Sequence, residues 1–194
     1  DSWFVKNVIF FFLVELLLSH NSAYKDFQSY MSIVGGRILD IHLFQEQSGS
    51  YFESDGSLYY FSDTHYSFDS KDQRITYNNG LITTINKTTK QIIYDMNIEN
   101  EISVLDILSG NEDGIEIGEV VFEKNGYKIP FKLSEWDIKG TLWVLPATGE
   151  PKKIILESYS DGQIIIKINS IEKGHKKQAP FIDTSEYEKI DLRE

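Results

Sequence analysis

Histidines and carboxylates are the side chains here with the most chemistry to offer, and their spacing offers little. The four histidines are His20, His42, His65 and His175, and none stands at metal-ligand spacing to another. Glu46, Glu53, Asp55, Asp63, Asp69 and Asp72 crowd one stretch, but nothing in their order sets two apart as an acid–base couple. Asn111-Glu112-Asp113-Gly114 has oxygens for a cation, yet it lacks the alternating ligands of an EF-hand loop and reads as a turn. No P-loop, dinucleotide-binding glycine pattern, zinc-protease helix motif or Gly-x-Ser-x-Gly is present. There is no cysteine, which removes disulfides, thiol nucleophiles, cysteine-based zinc sites and any lipid carried on a cysteine. The expectation is a binding protein, not an enzyme, with no cofactor and no metal.

Charge narrows what is bound. The formal net charge is -11, which argues against nucleic acid, whose binders need a basic stripe to displace counterions. It argues equally against a polybasic membrane anchor. The length of 194 residues suits one domain with a substantial core. At the start, Lys6 precedes the apolar run Val8–Leu18, broken only by Glu15, and Asn21-Ser22-Ala23 follows with a small residue at a cleavable position. That is the three-part layout of a secretory signal peptide, and the run is too short to span a bilayer. The expectation is a signal over residues 1–23 and one exported domain over 24–194.

The elements that must position any site are strands. Five Asp-Gly or Asn-Gly pairs punctuate the chain: Asp55-Gly56, Asn79-Gly80, Asp113-Gly114, Asn125-Gly126 and Asp161-Gly162. Such pairs suit the tight hairpin turns that need positive φ at both central residues. Counting outward from Asn79-Gly80 opposes Tyr77 to Ile82 and Ile75 to Thr84, with Arg74, Thr76, Leu81, Thr83 and Ile85 on the other face. Around Asn125-Gly126 the count puts Val120, Phe122, Ile129 and Phe131 on one dry face and opposes Glu123 to Lys128. Around Asp161-Gly162 it opposes Tyr159 to Ile164, Ile155 to Ile168 and Leu156 to Lys167. At Asp55-Gly56 it opposes Phe52 to Tyr59 and Tyr51 to Tyr60. A sheet apolar on both faces must be covered on both or must enclose something.

Two segments break the strand rhythm. Tyr24, Phe27, Tyr30 and Met31 suit one face of a short helix that Gly35-Gly36 would end. Asn100 to Gly110 reads as a second, with Asn100 as its cap and Ile102, Val104, Leu105 and Leu108 at helical spacing. Lying between two blocks of strands, it would cover one face of the sheet.

The run Gly56-Ser57-Leu58-Tyr59-Tyr60, Tyr66-Ser67-Phe68 and Gln73 to Gly80 resembles the periplasmic outer-membrane lipoprotein carrier family, the LolA type. Leu81 to Ile92 is similar to that family's next hairpin. Ile102 to Leu108 falls where the family has a helical lid. Ile138 to Pro146, Lys152 to Ile168 and Phe181-Ile182-Asp183 resemble its later strands and closing segment. Where the family has an Arg-Pro step that ties its lid down, this chain has Ser62-Asp63-Thr64-His65, and the family's tryptophan position falls at Thr84. The resemblance implies a mainly β fold, a strongly curved, incomplete antiparallel β-barrel with a few short helices over its concave face. It implies a monomeric periplasmic carrier that shields the acyl chains of lipoproteins released by an inner-membrane complex and delivers them to an outer-membrane acceptor. A periplasmic binder of another lipid or glycolipid is the alternative. The side chains expected to line the acyl site are Ile75, Tyr77, Ile82, Leu105, Leu108, Phe122, Phe131 and Trp143.

Overall fold

The computed structural model describes residues 22–47, 49–96, 107–108, 114–133, 138–158, 162–174 and 178–193. One helix, α1 (Ser22–Met31), precedes the strands. The first six are β1 (Arg37–Gln47), β2 (Ser50–Ser62), β3 (His65–Ser70), β4 (Gln73–Asn78), β5 (Leu81–Asn86) and β6 (Gln91–Met96). Then come β7 (Ile115–Ile117), β8 (Val121–Glu123), β9 (Gly126–Leu133), β10 (Ile138–Val144), β11 (Pro151–Ser158), β12 (Gly162–Lys173) and β13 (Glu188–Asp191).

All thirteen belong to one sheet, ordered β13-β6-β5-β4-β3-β2-β1-β12-β11-β10-β9-β7, with β8 also on β9. Every pairing is antiparallel except β13 on β6. The sheet is curved, and among the described residues the two ends of this order do not pair with each other, so it is open, as expected of an incomplete barrel. Register shifts in β1/β12, β2/β3 and β10/β11 each place an extra residue on one strand. Such bulges bend a strand and tighten its twist, which is how a wide sheet curls.

The glycine pairs do not all act as turns. At Asn79-Gly80 both residues have positive φ, 50° and 83°, and the register is the expected one, Tyr77 opposite Ile82. At Asn125-Gly126 the turn falls one residue earlier: Lys124 takes φ 53° and Phe122 faces Tyr127. A Cβ on Gly126 would lie 3.1 Å from the Val144 carbonyl oxygen, so that glycine serves the approach to β10. The faces survive, because each partner moved by two residues: Phe122 faces Tyr127 instead of Ile129, and Glu123 faces Gly126 instead of Lys128. At Asp161-Gly162 they do not. Leu156 faces Ile164 and Ile155 faces Ile165, an odd displacement that exchanges the two sides. Asp55-Gly56 is no turn at all. It lies within β2, and the hairpin closes instead between Gln47 and Ser50. Gly56 is there because the Phe68 ring lies over it, within 2.5 Å of where a Cβ would stand.

The helix buries Ala23, Tyr24, Phe27 and Met31 against the concave face. Its carbonyl end is held by Arg37 at the start of β1, whose Nε donates to the Tyr30 carbonyl while the guanidinium lies 3.4 Å from the Tyr30 ring centre. Burial pushes the Arg37 guanidinium down from its ordinary value, with Tyr30 and Glu150 acting to raise it. Gly149, at φ 72°, sits under α1: a Cβ there would come within 2.2 Å of the Asp26 backbone. Ile107 and Leu108, both helical, join the same core. The rest of the second expected helix, Leu105 included, lies outside the described residues.

Candidate functional site

The strand registers give the concave face row by row. Across β9, β10, β11, β12 and β1 it carries Ile129, Leu142, Ile154, Ile166 and Leu43, each the direct partner of the last. The first four are fully buried. Continuing through β2 and β3 to β5, the face carries Leu58, Phe68, Ile75 and Thr84 in one row and Tyr60, Tyr66, Tyr77 and Ile82 in another. Here burial fades: Tyr66 and Phe68 are buried, while Ile75, Tyr77 and Ile82 are only partly so.

A cavity of about 300 Å³ occupies this half of the face. β1 supplies Ile41, Leu43 and Gln45, and β2 supplies Phe52. β3 gives Tyr66 and Phe68, β4 gives Gln73, Ile75 and Tyr77, and β5 gives Ile82. Among the described residues that line it, none is charged. Tyr66 and Tyr77 stack at 5.0 Å between ring centres, so two flat rings make one wall. Next to Tyr66, burial and the nearby Asp63 push the Tyr60 hydroxyl up to about 12, which keeps it neutral. A mostly apolar concavity with Gln45, Gln73 and two tyrosines as its polar groups suits a hydrocarbon ligand.

A shallower hollow of about 410 Å³ lies on the convex face, over β7, β9, β10 and β11. Glu116, Lys132, Lys139 and Glu157 line it beside Pro130 and Thr141. Glu116 stands opposite Lys132 and Glu157 opposite Lys139, which sets a carboxylate beside each of the two facing lysines. Among the described residues no group of His, Asp and Glu is arranged to hold a metal ion.

Of the residues expected to line an acyl site, Ile75, Tyr77 and Ile82 meet in the cavity. Leu108 does not reach it as a lid. It is fully buried in the core with α1. Phe131 is likewise core, its ring lying over Gly140 within 2.1 Å of a Cβ built there. Phe122 sits on the short edge strand β8, 59% exposed, against Tyr127. Trp143 points to the convex face between its direct partners Lys128 and Lys153, whose ammonium groups are 5.9 and 5.0 Å from its ring. What pattern reading missed is the other wall: Ile41, Leu43, Phe52, Tyr66 and Phe68. The turn wrongly placed at Asp55-Gly56 hid it, because that register put Phe52 and Tyr60 on opposite faces.

No family model and no curated protein matches the chain. Among solved structures, an uncharacterized conserved protein from Thermus thermophilus matches 89% of this chain and 99% of its own, with a TM-score of 0.56 at 8% identity. MucB matches 89% of this chain and 66% of its own, with a TM-score of 0.50 at 10% identity. A LolA superfamily protein from Nitrosomonas europaea matches 83% of this chain and 94% of its own, with a TM-score of 0.48 at 9% identity. LolA-type proteins stand among the structural neighbours of this chain. At such identities the likeness is one of fold.

Proposed function

We propose that this protein is a non-catalytic periplasmic carrier that shelters the acyl chains of lipoproteins in the concave-face cavity and delivers them to the outer membrane. The observation that carries this reading is the cavity walled by Ile41, Tyr66, Phe68, Ile75, Tyr77 and Ile82, with no charged residue among its described lining. A volume of about 300 Å³ corresponds to about ten waters at ~30 Å³ each, or a comparable run of methylenes. At about 0.8 kcal/mol per methylene, drying that run would favour binding by roughly 8 kcal/mol before the losses of immobilisation. A longer acyl chain would leave its remaining carbons outside, which suits a protein that must also let go. Partners under this reading are acylated lipoproteins, the inner-membrane complex that releases them and an outer-membrane acceptor.

The test is mass spectrometry of the protein purified in native conditions from the envelope of its own host. Acylated lipoproteins at near-stoichiometric level are expected. Free phospholipid or glycolipid alone would favour the alternative of a lipid binder, and no bound lipid of any kind would contradict both.

A further inference from the structure

Beside the cavity the sheet has a step. β2 begins at Ser50, but its pairing with β3 begins only at Gly56. Residues 50–55 are therefore bonded to β1 on one side and have no strand on the other among the described residues. β3 and β4 turn back at Lys71 and Asp72, opposite the Gly56 level, so the step is the end of a block of strands. The segment that follows β6 leaves from Met96, which pairs with Leu81 at the far end of that block. Six extended residues make a free edge about 20 Å long. Open edges recruit other strands, and soluble proteins usually shorten or cover them.

This edge adjoins the cavity mouth. Phe52 belongs to it, lines the cavity and is still 47% exposed, with Tyr51 exposed beside it. The opposite face of the same strand carries Glu53 and Asp55, Asp55 being bonded to His42 at 2.9 Å. Glu46 stands directly across from Tyr51. The edge is thus acidic as well as unpaired among the described residues.

We propose that residues 50–55 bind an extended peptide bearing lysine or arginine as an added strand, while an acyl chain on that peptide occupies the cavity. This rests on the carrier reading and deepens it: main-chain hydrogen bonds along β2 would hold the polypeptide that trails from the lipid, whatever its apolar sequence. Basic residues would sit beside Glu53 and Asp55, which gives the contact a salt-sensitive part.

The probes are decanoyl peptides titrated against the full chain by calorimetry. One carries eight residues with lysines at the third and fifth positions, one is a two-residue stub, and two more are the long peptide N-methylated at alternate amides in either phase. The long peptide should bind at least tenfold tighter than the stub. One N-methylated phase should lose that gain and the other keep it, because only alternate amides of an added strand face β2. Replacing the lysines by glutamate should weaken binding several-fold at low salt. Equal affinity of stub and long peptide would overturn the edge proposal and leave the carrier reading standing. Failure of every decanoyl probe to bind would overturn both. Loss of the peptide gain together with partition onto phosphatidylcholine vesicles through Tyr51 and Phe52 would assign the edge to a membrane surface instead.

Discussion

Ile129 and Ile154 on the β9–β12 side of the concave face are fully buried, whereas Ile75 and Ile82 on the β4–β5 side remain partly exposed. The residue type is the same and so is the strand setting. What differs is the cover. On the first side Phe27 and Met31 of α1, with Ile107 and Leu108, fill the space above the sheet. On the second side nothing among the described residues does, and a cavity of about 300 Å³ is left. In a curved sheet the difference between core and site is made by the helix that packs there, not by the strand that presents the side chain.

Substitutions should separate the two halves. The largest effect is expected at Phe27, which is fully buried: Phe27→Ala should lower stability by about 3–5 kcal/mol in urea unfolding, because α1 loses its main anchor. Gly149→Ala comes next, at about 3 kcal/mol, since a methyl there meets the Asp26 backbone and φ 72° disfavours it as well. An unchanged melting temperature for Gly149→Ala would mean that α1 does not pack over Gly149.

The third effect lies on the convex side of the open half. Asp69 accepts from Arg74 Nε at 3.0 Å and stands 2.8 Å from Lys87 Nζ. Burial acts to raise its carboxyl, but the hydrogen bonds from Arg74 and Lys87 outweigh that and hold it below its ordinary 3.8. A depressed folded value contributes stability that is complete above the unfolded value and is lost as pH falls through the folded one. Asp69→Asn should therefore cost about 1–2 kcal/mol at neutral pH and progressively less as pH falls below the carboxyl's ordinary 3.8, read as melting temperature against pH.

The smallest effect on stability, and the largest on binding, is expected at Ile82. Ile82→Ser should cost about 1 kcal/mol or less while weakening decanoyl-peptide binding several-fold in the same calorimetric titration. Leu108→Ser should do the reverse, because Leu108 is core.

Part of this contrast was legible in the sequence. Asn79-Gly80 fixed one hairpin correctly, since two residues able to take positive φ leave a single tight register, and Ile75, Tyr77 and Ile82 follow from it. The helix over Tyr24 to Met31 was legible from its spacing, although it begins at Ser22. The other cavity wall was not. A glycine in a strand and a glycine in a turn look alike in sequence, and only the Phe68 ring over Gly56 tells them apart. Leu108, Phe131 and Trp143 stand outside the cavity for a second reason. Alternation shows that two residues share a face, but not whether that face is packed, open or turned outward. The Arg37 contact with Tyr30 was equally hidden, because it joins a helix end to a strand start through a backbone carbonyl that no side-chain pattern encodes.

The most direct test of the account is methyl NMR of isoleucine-labelled protein titrated with a decanoyl peptide. Shifts are expected at Ile41, Ile75 and Ile82, with Ile129, Ile154 and Ile166 unmoved. Shifts concentrated on Ile129, Ile154 and Ile166, or none at any isoleucine methyl, would contradict it.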